Sequence, residues 1–241
     1  MRIFVVVPVY NEGFIFERWL PGLLEVAGEL GANVVVVDDG SDGQFQVPSA
    51  KFQVTSGDFK AINLELGTCH FLRHEVNCGV GAAIATGMAY AKKHGAEMVV
   101  TIDGDGQHDP KDLHRIVEEL KKGDVEIVNG SRFLQKQWIP WTRRVANFLA
   151  NIITFLLSGF WVSDSQSGMK GFSKKALEKI EVQTPGYEWC SDIFREANWY
   201  DFRIQEVSIS ILYNKYSLSK GQNLAIGIDM VVRLVVRSLL R

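Results

Sequence analysis

The chain alternates short apolar runs with stretches of helical spacing. Ile3–Pro8, Asn33–Val37, Phe71–Glu75, Glu97–Ile102 and Val125–Asn129 are rich in Val, Ile and Phe, and each predicts a buried strand. Glu17–Leu30, Gly79–His94 and Asp112–Lys122 repeat apolar residues at helical intervals; the first stops at Gly31 and the last follows Pro110. Strands that are apolar throughout are covered on both faces. The order therefore predicts an α/β domain with a mostly parallel, Rossmann-like sheet sandwiched by helices. Such sheets bind ligands beyond the carboxyl ends of their strands. Polar residues gather at those ends here: Tyr10-Asn11-Glu12, Asp38–Ser41, Asn77–Gly81, Asp103–His108 and Gly130-Ser131-Arg132.

Elsewhere the rhythm changes. Gln44–Leu66 alternates as a hairpin turning at Ser56-Gly57 would. After residue 132 come a loop over Ser163–Gly171, helices over Lys174–Ile180 and Glu188–Tyr200, and an alternating strand over Ile204–Leu212. Ile226–Leu240 predicts an apolar helix with Arg233, Arg237 and Arg241 on one face. Val145–Ser163 carries no charge and approaches the roughly 20 residues that span a bilayer. Asn147, Asn151, Thr154, Ser158 and Gly159 interrupt it, Arg143-Arg144 precede it, and Trp161 stands near its end. A helix lying in a membrane interface, or packed on the core or on a second subunit, fits that pattern better than a span.

Composition narrows the classes. The 241 residues hold 26 Lys and Arg against 28 Asp and Glu, a formal net charge of −2. That balance excludes a protein that holds nucleic acid through its overall field. With 46% hydrophobic and 22% charged residues the chain is an ordinary globular protein with room for a sizeable core. Its mean hydropathy, +0.02, is high for such a chain and draws on the buried strands and the two apolar helices. Cys69, Cys78 and Cys190 form no CxxC pair and are odd in number, which reads as inert thiols in a reducing compartment. The apolar run at the N-terminus is too short for a signal peptide.

The richest segment is Thr101–Pro110, TIDGDGQHDP. Asp103 and Asp105 stand two apart among small residues at a strand end. Hard divalent ions take oxygen ligands, and Mg²⁺ in particular takes one or two carboxylates plus substrate phosphates. The bland alternative is a solvated Asp-Gly turn. An EF-hand is excluded because His108 and His114 stand where Gly and Glu are required. Gly79-Val80-Gly81 imitates a dinucleotide fingerprint, with Asp103 about 20 residues further on. Ile84 replaces its third small residue, however, and the first βα turn carries Tyr10-Asn11-Glu12 instead.

In series, VVVPVYNEG, VVVVDDGSDG, NCGVGAAIATGM, TIDGDGQHDP, NGSRF and SDSQSGMKGFSKKAL resemble glycosyltransferase family 2 with its GT-A fold. The likeness runs from Ile3 to about Val207. It is strongest to the branch of dolichyl-phosphate mannose synthases and bacterial polyprenyl-phosphate glycosyltransferases. It implies a catalytic domain over residues 1–221 and an amphipathic C-terminal helix over 222–241. It implies a nucleotide-sugar pocket lined by Pro8, Tyr10, Asn11, Glu12, Val37, Asp39, Gly79, Ile102, Asp103 and Gly104. Asp105, with Gln107 beside it, would hold Mg²⁺ or Mn²⁺ on the diphosphate. Arg132 would meet phosphate, and Lys220 would close over the pyrophosphate. Asp164 and Asp192 are the candidates for a general base. The implied activity is inverting transfer from a UDP- or GDP-linked sugar to a polyprenyl phosphate, peripheral at the cytoplasmic face of a membrane. The alternatives are a glycan hydroxyl acceptor, a non-catalytic nucleotide-sugar-binding module, a nucleotidyltransferase, or any of these as a homo-oligomer. The chain departs from the mannose synthases at Lys170 and Asn214, where they often carry Arg, and in the Gln44–Leu66 insertion.

Overall fold

A computed structural model describes residues 1–42 and 69–212 in full, and the backbone of 46–47, 50–53, 60–64 and 67–68. The predicted turn at Ser56-Gly57, Asn214, Lys220, and the C-terminal helix with its three arginines lie outside the described residues. In chain order the elements are β1 (Ile3–Val9), α1 (Gly13–Leu30), β2 (Ala32–Asp38), β3 (Gln46–Val47), β4 (Ala50–Gln53), β5 (Lys60–Leu64), β6 (Gly67–Arg73), α2 (Val80–Lys93), β7 (Met98–Thr101), α3 (Asp112–Lys121), β8 (Ile127–Ser131), α4 (Trp141–Ser158), β9 (Lys170–Ser173), α5 (Lys174–Lys179), α6 (Trp189–Trp199) and β10 (Ile204–Ser208).

Eight strands form one sheet in the order β10-β8-β9-β7-β1-β2-β6-β5. β1 pairs in parallel with β2 and β7, β2 with β6, and β8 with β10. Among the described residues of this sheet, only β9 and β5 run against their neighbours. The mostly parallel α/β sandwich is therefore the observed architecture. Every residue of β1 is buried, because its side chains feed two cores in alternation. Ile3, Val5 and Val7 pack under α1 and α3, whereas Phe4 and Val6 pack under α2, α5 and α6.

The structure revises several boundaries. α1 begins at Gly13 rather than Glu17, after Asn11 and Gly13 adopt positive φ of 53° and 48° and redirect the chain. Within the insertion, β3 pairs with β4 and β5 pairs with β6. β9 falls at the end of the predicted Ser163–Gly171 loop. The last strand ends at Ser208, and a separate bridge joins Ile211 to His108. α4 ends at Gly159, whose φ is 73°. Among the described residues, no helix is long and apolar enough to cross a membrane. α4 also reverses the usual amphipathic arrangement. It buries Asn147, Ala150, Asn151, Thr154 and Ser158 and turns its apolar residues outward.

Candidate active site

The carboxyl ends of β1, β2, β7 and β8 bring most of the predicted residues to one rim. Pro8, Val37 and Ile102 are buried there, and Gly104 lies against the Pro8 carbonyl and Phe16. Tyr10 is exposed at the mouth. Asn11 ties the turn after β1 to the end of β2. Its amide donates to Ser41 Oγ at 2.9 Å, its Nδ2 donates to Asp42 Oδ2 at 3.2 Å, and its Oδ1 accepts from the Asp42 amide at 2.8 Å. Glu12 is half-buried at the cap of α1.

Asp39 is buried and fully engaged. Its Oδ1 pairs with His74 Nδ1 at 2.6 Å and accepts from the Cys78 amide at 3.0 Å; its Oδ2 accepts from the Gly79 amide at 2.7 Å. His74 Nε2 in turn meets Thr86 Oγ1 at 2.9 Å. Donor atoms of Asp39, His74 and Cys78 lie within 4.8 Å of one another, which is metal-like spacing, but these hydrogen bonds account for the arrangement. The N-terminus of α2 is occupied too. The Gly81 and Ala82 amides donate to the Pro185 carbonyl at 2.7 and 3.3 Å. A methyl group on Gly81 would fall 1.9 Å from the Thr184 carbonyl oxygen, so glycine lets the 184–186 loop cap the helix. Gly79 and Gly81 therefore serve packing and capping in this structure, not an open phosphate cradle.

The acidic loop is held from both sides. Asp105 Oδ1 accepts from the Gln107 amide at 3.0 Å, and its Oδ2 accepts from Gln107 Nε2. Burial, reinforced by the charge of Asp103, keeps the Asp105 carboxyl above the usual carboxylate range. His108 is buried with Nε2 3.6 Å from Asp103 Oδ2, and Trp19 Nε1 donates to the His108 carbonyl at 2.9 Å. The segment after β10 runs along this loop, with the Leu212 amide donating to the Gln107 carbonyl at 2.8 Å.

Residues 164–168 join the acidic loop to the phosphate-binding candidate. At one end, buried Asp164 grips Arg132 as a fork: Arg132 Nε donates to Oδ2 at 2.6 Å, Nη2 to Oδ1 at 2.7 Å, and the Arg132 amide to Oδ2 at 3.0 Å. At the other end, a methyl group on Gly168 would fall 2.1 Å from Asp103 Oδ2 and 2.4 Å from both its Cγ and Oδ1. Gly168→Ala should therefore displace the Asp103 carboxylate and lower transfer by about tenfold, a loss of ~1.4 kcal/mol. Steady-state kinetics would check this; an unchanged rate would show that Asp103 needs no fixed seat.

Several contacts around the site carried no signal in the sequence. Lys170 is buried with Nζ donating to Asn129 Oδ1 at 2.6 Å and lying 4.6 Å from the Phe194 ring centroid. Burial lowers its pKa from the ordinary lysine value. Asn129 passes the contact on, donating to the Asp164 carbonyl and to Glu206 Oε1, both at 3.0 Å. Arg143, which precedes the uncharged stretch, reaches Gln107 Oε1 at 3.3 Å. Asp192 lies on α6 and is ion-paired with Arg195 at 2.5 Å. Burial pushes the Cys69 and Cys190 thiols up to about 12, which makes both inert; Cys78 is exposed.

Comparison with known proteins agrees with this architecture. The model of the glycosyl transferase family 2 matches residues 4–181. A UDP-N-acetylglucosamine–dolichyl-phosphate N-acetylglucosaminyltransferase of Methanococcus voltae is 33% identical over 97% of this chain and 95% of its own. A polyprenol monophosphomannose synthase of Mycolicibacterium smegmatis is 26% identical over 92% of this chain and 83% of its own. The crystal structure of glucosyl-3-phosphoglycerate synthase from Mycobacterium tuberculosis, in complex with Mn²⁺, UDP and glucosyl-3-phosphoglycerate, superposes with a TM-score of 0.68 at 18% identity. It covers 99% of this chain and 78% of that one, and it shares the GT-A fold. With the motif order, the sheet and the family model in agreement over the same residues, the chain belongs to glycosyl transferase family 2.

Proposed function

We propose that this glycosyltransferase moves a sugar, with inversion, from a nucleoside-diphosphate donor to the phosphate of a polyprenyl lipid at the cytoplasmic face of a membrane. The observation that carries this reading is the 164–168 loop, which grips the Arg132 guanidinium at one end and packs against the Asp103 carboxylate at the other. Cations and an acidic loop side by side suit two phosphate-bearing ligands. An acceptor phosphate oxygen would attack the anomeric carbon, and the bond to the diphosphate would break with its electron pair leaving on the nucleoside diphosphate. Such an oxygen is already anionic and needs no strong base. A glycan hydroxyl would need one, yet Asp164 is clamped on Arg132 and Asp192 is paired with Arg195. That engagement favours the lipid phosphate over the hydroxyl.

The oxygen donors fit a hard divalent ion. Asp105 with Gln107 would hold Mg²⁺ or Mn²⁺ beside Asp103, and the ion would neutralise the leaving diphosphate. Gln107 presents its NH₂ to Asp105 and its carbonyl to Arg143, so its oxygen becomes a ligand only after the amide turns. Asp39 and Tyr10 border the place for the base and ribose. Lys220 remains the proposed pyrophosphate cation, and residues 1–221 the proposed catalytic unit.

The relative from Methanococcus voltae, named for a UDP-linked donor and dolichyl phosphate, supports the same reading. A thermal-shift panel with Mn²⁺ and either UDP or GDP should pick out one nucleotide. Saturation at 100 times the dissociation constant gives about 2.7 kcal/mol of apparent stability. Polyprenyl phosphate added with the corresponding nucleotide sugar should then release that nucleoside diphosphate. Release of pyrophosphate from a nucleoside triphosphate and a sugar phosphate instead would identify a nucleotidyltransferase, and release of the diphosphate only with glycan acceptors would overturn the lipid reading.

A further inference from the structure

We propose that Glu206 is a positioning residue for Arg132. It lies on β10, the edge strand beyond β8. Register places Glu206 beside Asn129 of β8, and Asn129 beside Lys170 of β9. Register partners share a face of the sheet, so these side chains form a cross-strand row of anion, amide and cation. Two residues away along each strand, Ile204, Ile127 and Phe172 enter the apolar core on the same face. The row is where that core turns polar. Asn129 joins its ends, accepting from Lys170 Nζ at 2.6 Å and donating to Glu206 Oε1 at 3.0 Å. Polar networks at such a boundary hold one geometry when every member is satisfied.

From the anionic end a chain of hydrogen bonds leads to Arg132. The Ser163 amide donates to Glu206 Oε2 at 2.9 Å, and the Ser163 hydroxyl donates to Oε1 at 3.1 Å. The single hydrogen of that hydroxyl is thereby spent, so Ser163 Oγ accepts from the Ser131 hydroxyl at 2.5 Å. Ser131 Oγ in turn accepts from the Phe133 amide at 3.2 Å. Each link accepts from the one before it, and a carboxylate, which only accepts, sets that direction. Ser131 and Phe133 are the two chain neighbours of Arg132, and Ser163 precedes Asp164, whose fork holds the guanidinium. Glu206 therefore bears on the backbone of Arg132 and on its side chain at once. By charge alone a carboxylate in this neighbourhood works against phosphate. What it supplies is direction: an amide in its place must aim its NH₂ at the Ser163 amide or at Asn129 Nδ2, donor against donor. This role rests on the reading above that Arg132 meets phosphate.

The test is a double-mutant cycle between Glu206→Gln and Arg132→Ala, read in the full chain as sugar transfer to detergent-dispersed polyprenyl phosphate. Glu206→Gln should lower kcat about tenfold, because the guanidinium is misplaced. The KM for the nucleotide sugar and the nucleotide-induced thermal shift with Mn²⁺ should stay within about twofold of the parent, since β1 and β2 carry the nucleotide pocket and stand apart from this row. In the Arg132→Ala background the same substitution should cost no more than about twofold, because a residue acting through Arg132 has nothing left to position. Equal losses in both backgrounds would show a merely structural role and overturn the proposal. So would Glu206→Gln transfer at or above the parent rate, the result expected if only the charge of Glu206 mattered. Should Glu206→Gln misfold, Ser163→Ala and Ser163→Thr make the same decision: loss of the hydroxyl should lower kcat about fivefold and threonine should restore it, whereas parent kcat in Ser163→Ala overturns the proposal. Arg132→Ala at the parent rate removes the phosphate reading and this proposal with it; Arg132→Ala impaired beside an unimpaired Glu206→Gln removes this proposal alone. A parent that transfers only to a glycan removes the lipid reading, and the cycle is then decided with that glycan.

Discussion

Asp105→Ala is expected to lower sugar transfer by about a thousandfold, ~4 kcal/mol of transition-state stabilisation. Asp105 is the proposed cation ligand, and burial beside Asp103 already leaves its carboxylate short of compensating charge. Removing it takes away the group that would place positive charge on the departing diphosphate. Asp105→Asn separates this from packing, because the amide keeps the shape and still bonds to Gln107. Both variants should lose the Mn²⁺-dependent part of donor binding in calorimetry while retaining the parent melting temperature within a few degrees. Undiminished transfer in either would end the metal role.

Asp164→Ala should combine a stability loss with a catalytic one. It leaves a guanidinium that is only 18% exposed without its fork. Breaking a pair of this kind costs about 3 kcal/mol when buried, so roughly 2 kcal/mol allows for the exposed part of Arg132, and the melting temperature should fall by about 4–8 °C. Transfer should fall about a hundredfold because the guanidinium is no longer aimed at phosphate. Asp164→Asn offers Arg132 one acceptor oxygen in place of two and should lie between Asp164→Ala and the parent in both respects. The pH profile of transfer in Asp164→Asn should keep the parent's shape. Loss of one limb of that profile, with the melting temperature unchanged, would show that Asp164 moves a proton instead.

The layers of this fold were legible because period and composition agree within single elements. β1 and β2 read as doubly covered strands, and both are buried along nearly their whole length. β9 was not legible, because Lys170 and Gly171 look like loop residues. Only the distant Asn129 and Phe194 make Lys170 a core residue. The rim of the site was legible from motifs at strand ends, since each sits within a few residues of the strand that positions it. What joins these motifs was not. The Asp164–Arg132 fork, the Gly168 seat under Asp103 and the Pro185 cap on α2 each link residues far apart in sequence. Nothing in the local pattern at either partner encodes the other. The same holds for Arg143: the sequence shows an arginine before an apolar helix, and only the tertiary path of that helix delivers its guanidinium to Gln107.

The antiparallel strand between β7 and β8 has a further consequence for how such chains diversify. Asn129 and Lys170 are register partners, and the Gly130 amide donates to the Met169 carbonyl at 2.9 Å. The stretch between them, α4 included, leaves the sheet and returns to the adjacent strand, so its two ends are pinned a hydrogen bond apart. Lengthening a detour with fixed ends costs only a slowly growing loop entropy. The part of the excursion between Arg132 and Asp164 can therefore change in length while residues 1–128 keep their strand register. Differences in length and sequence among related chains are then expected to concentrate between residues 133 and 163.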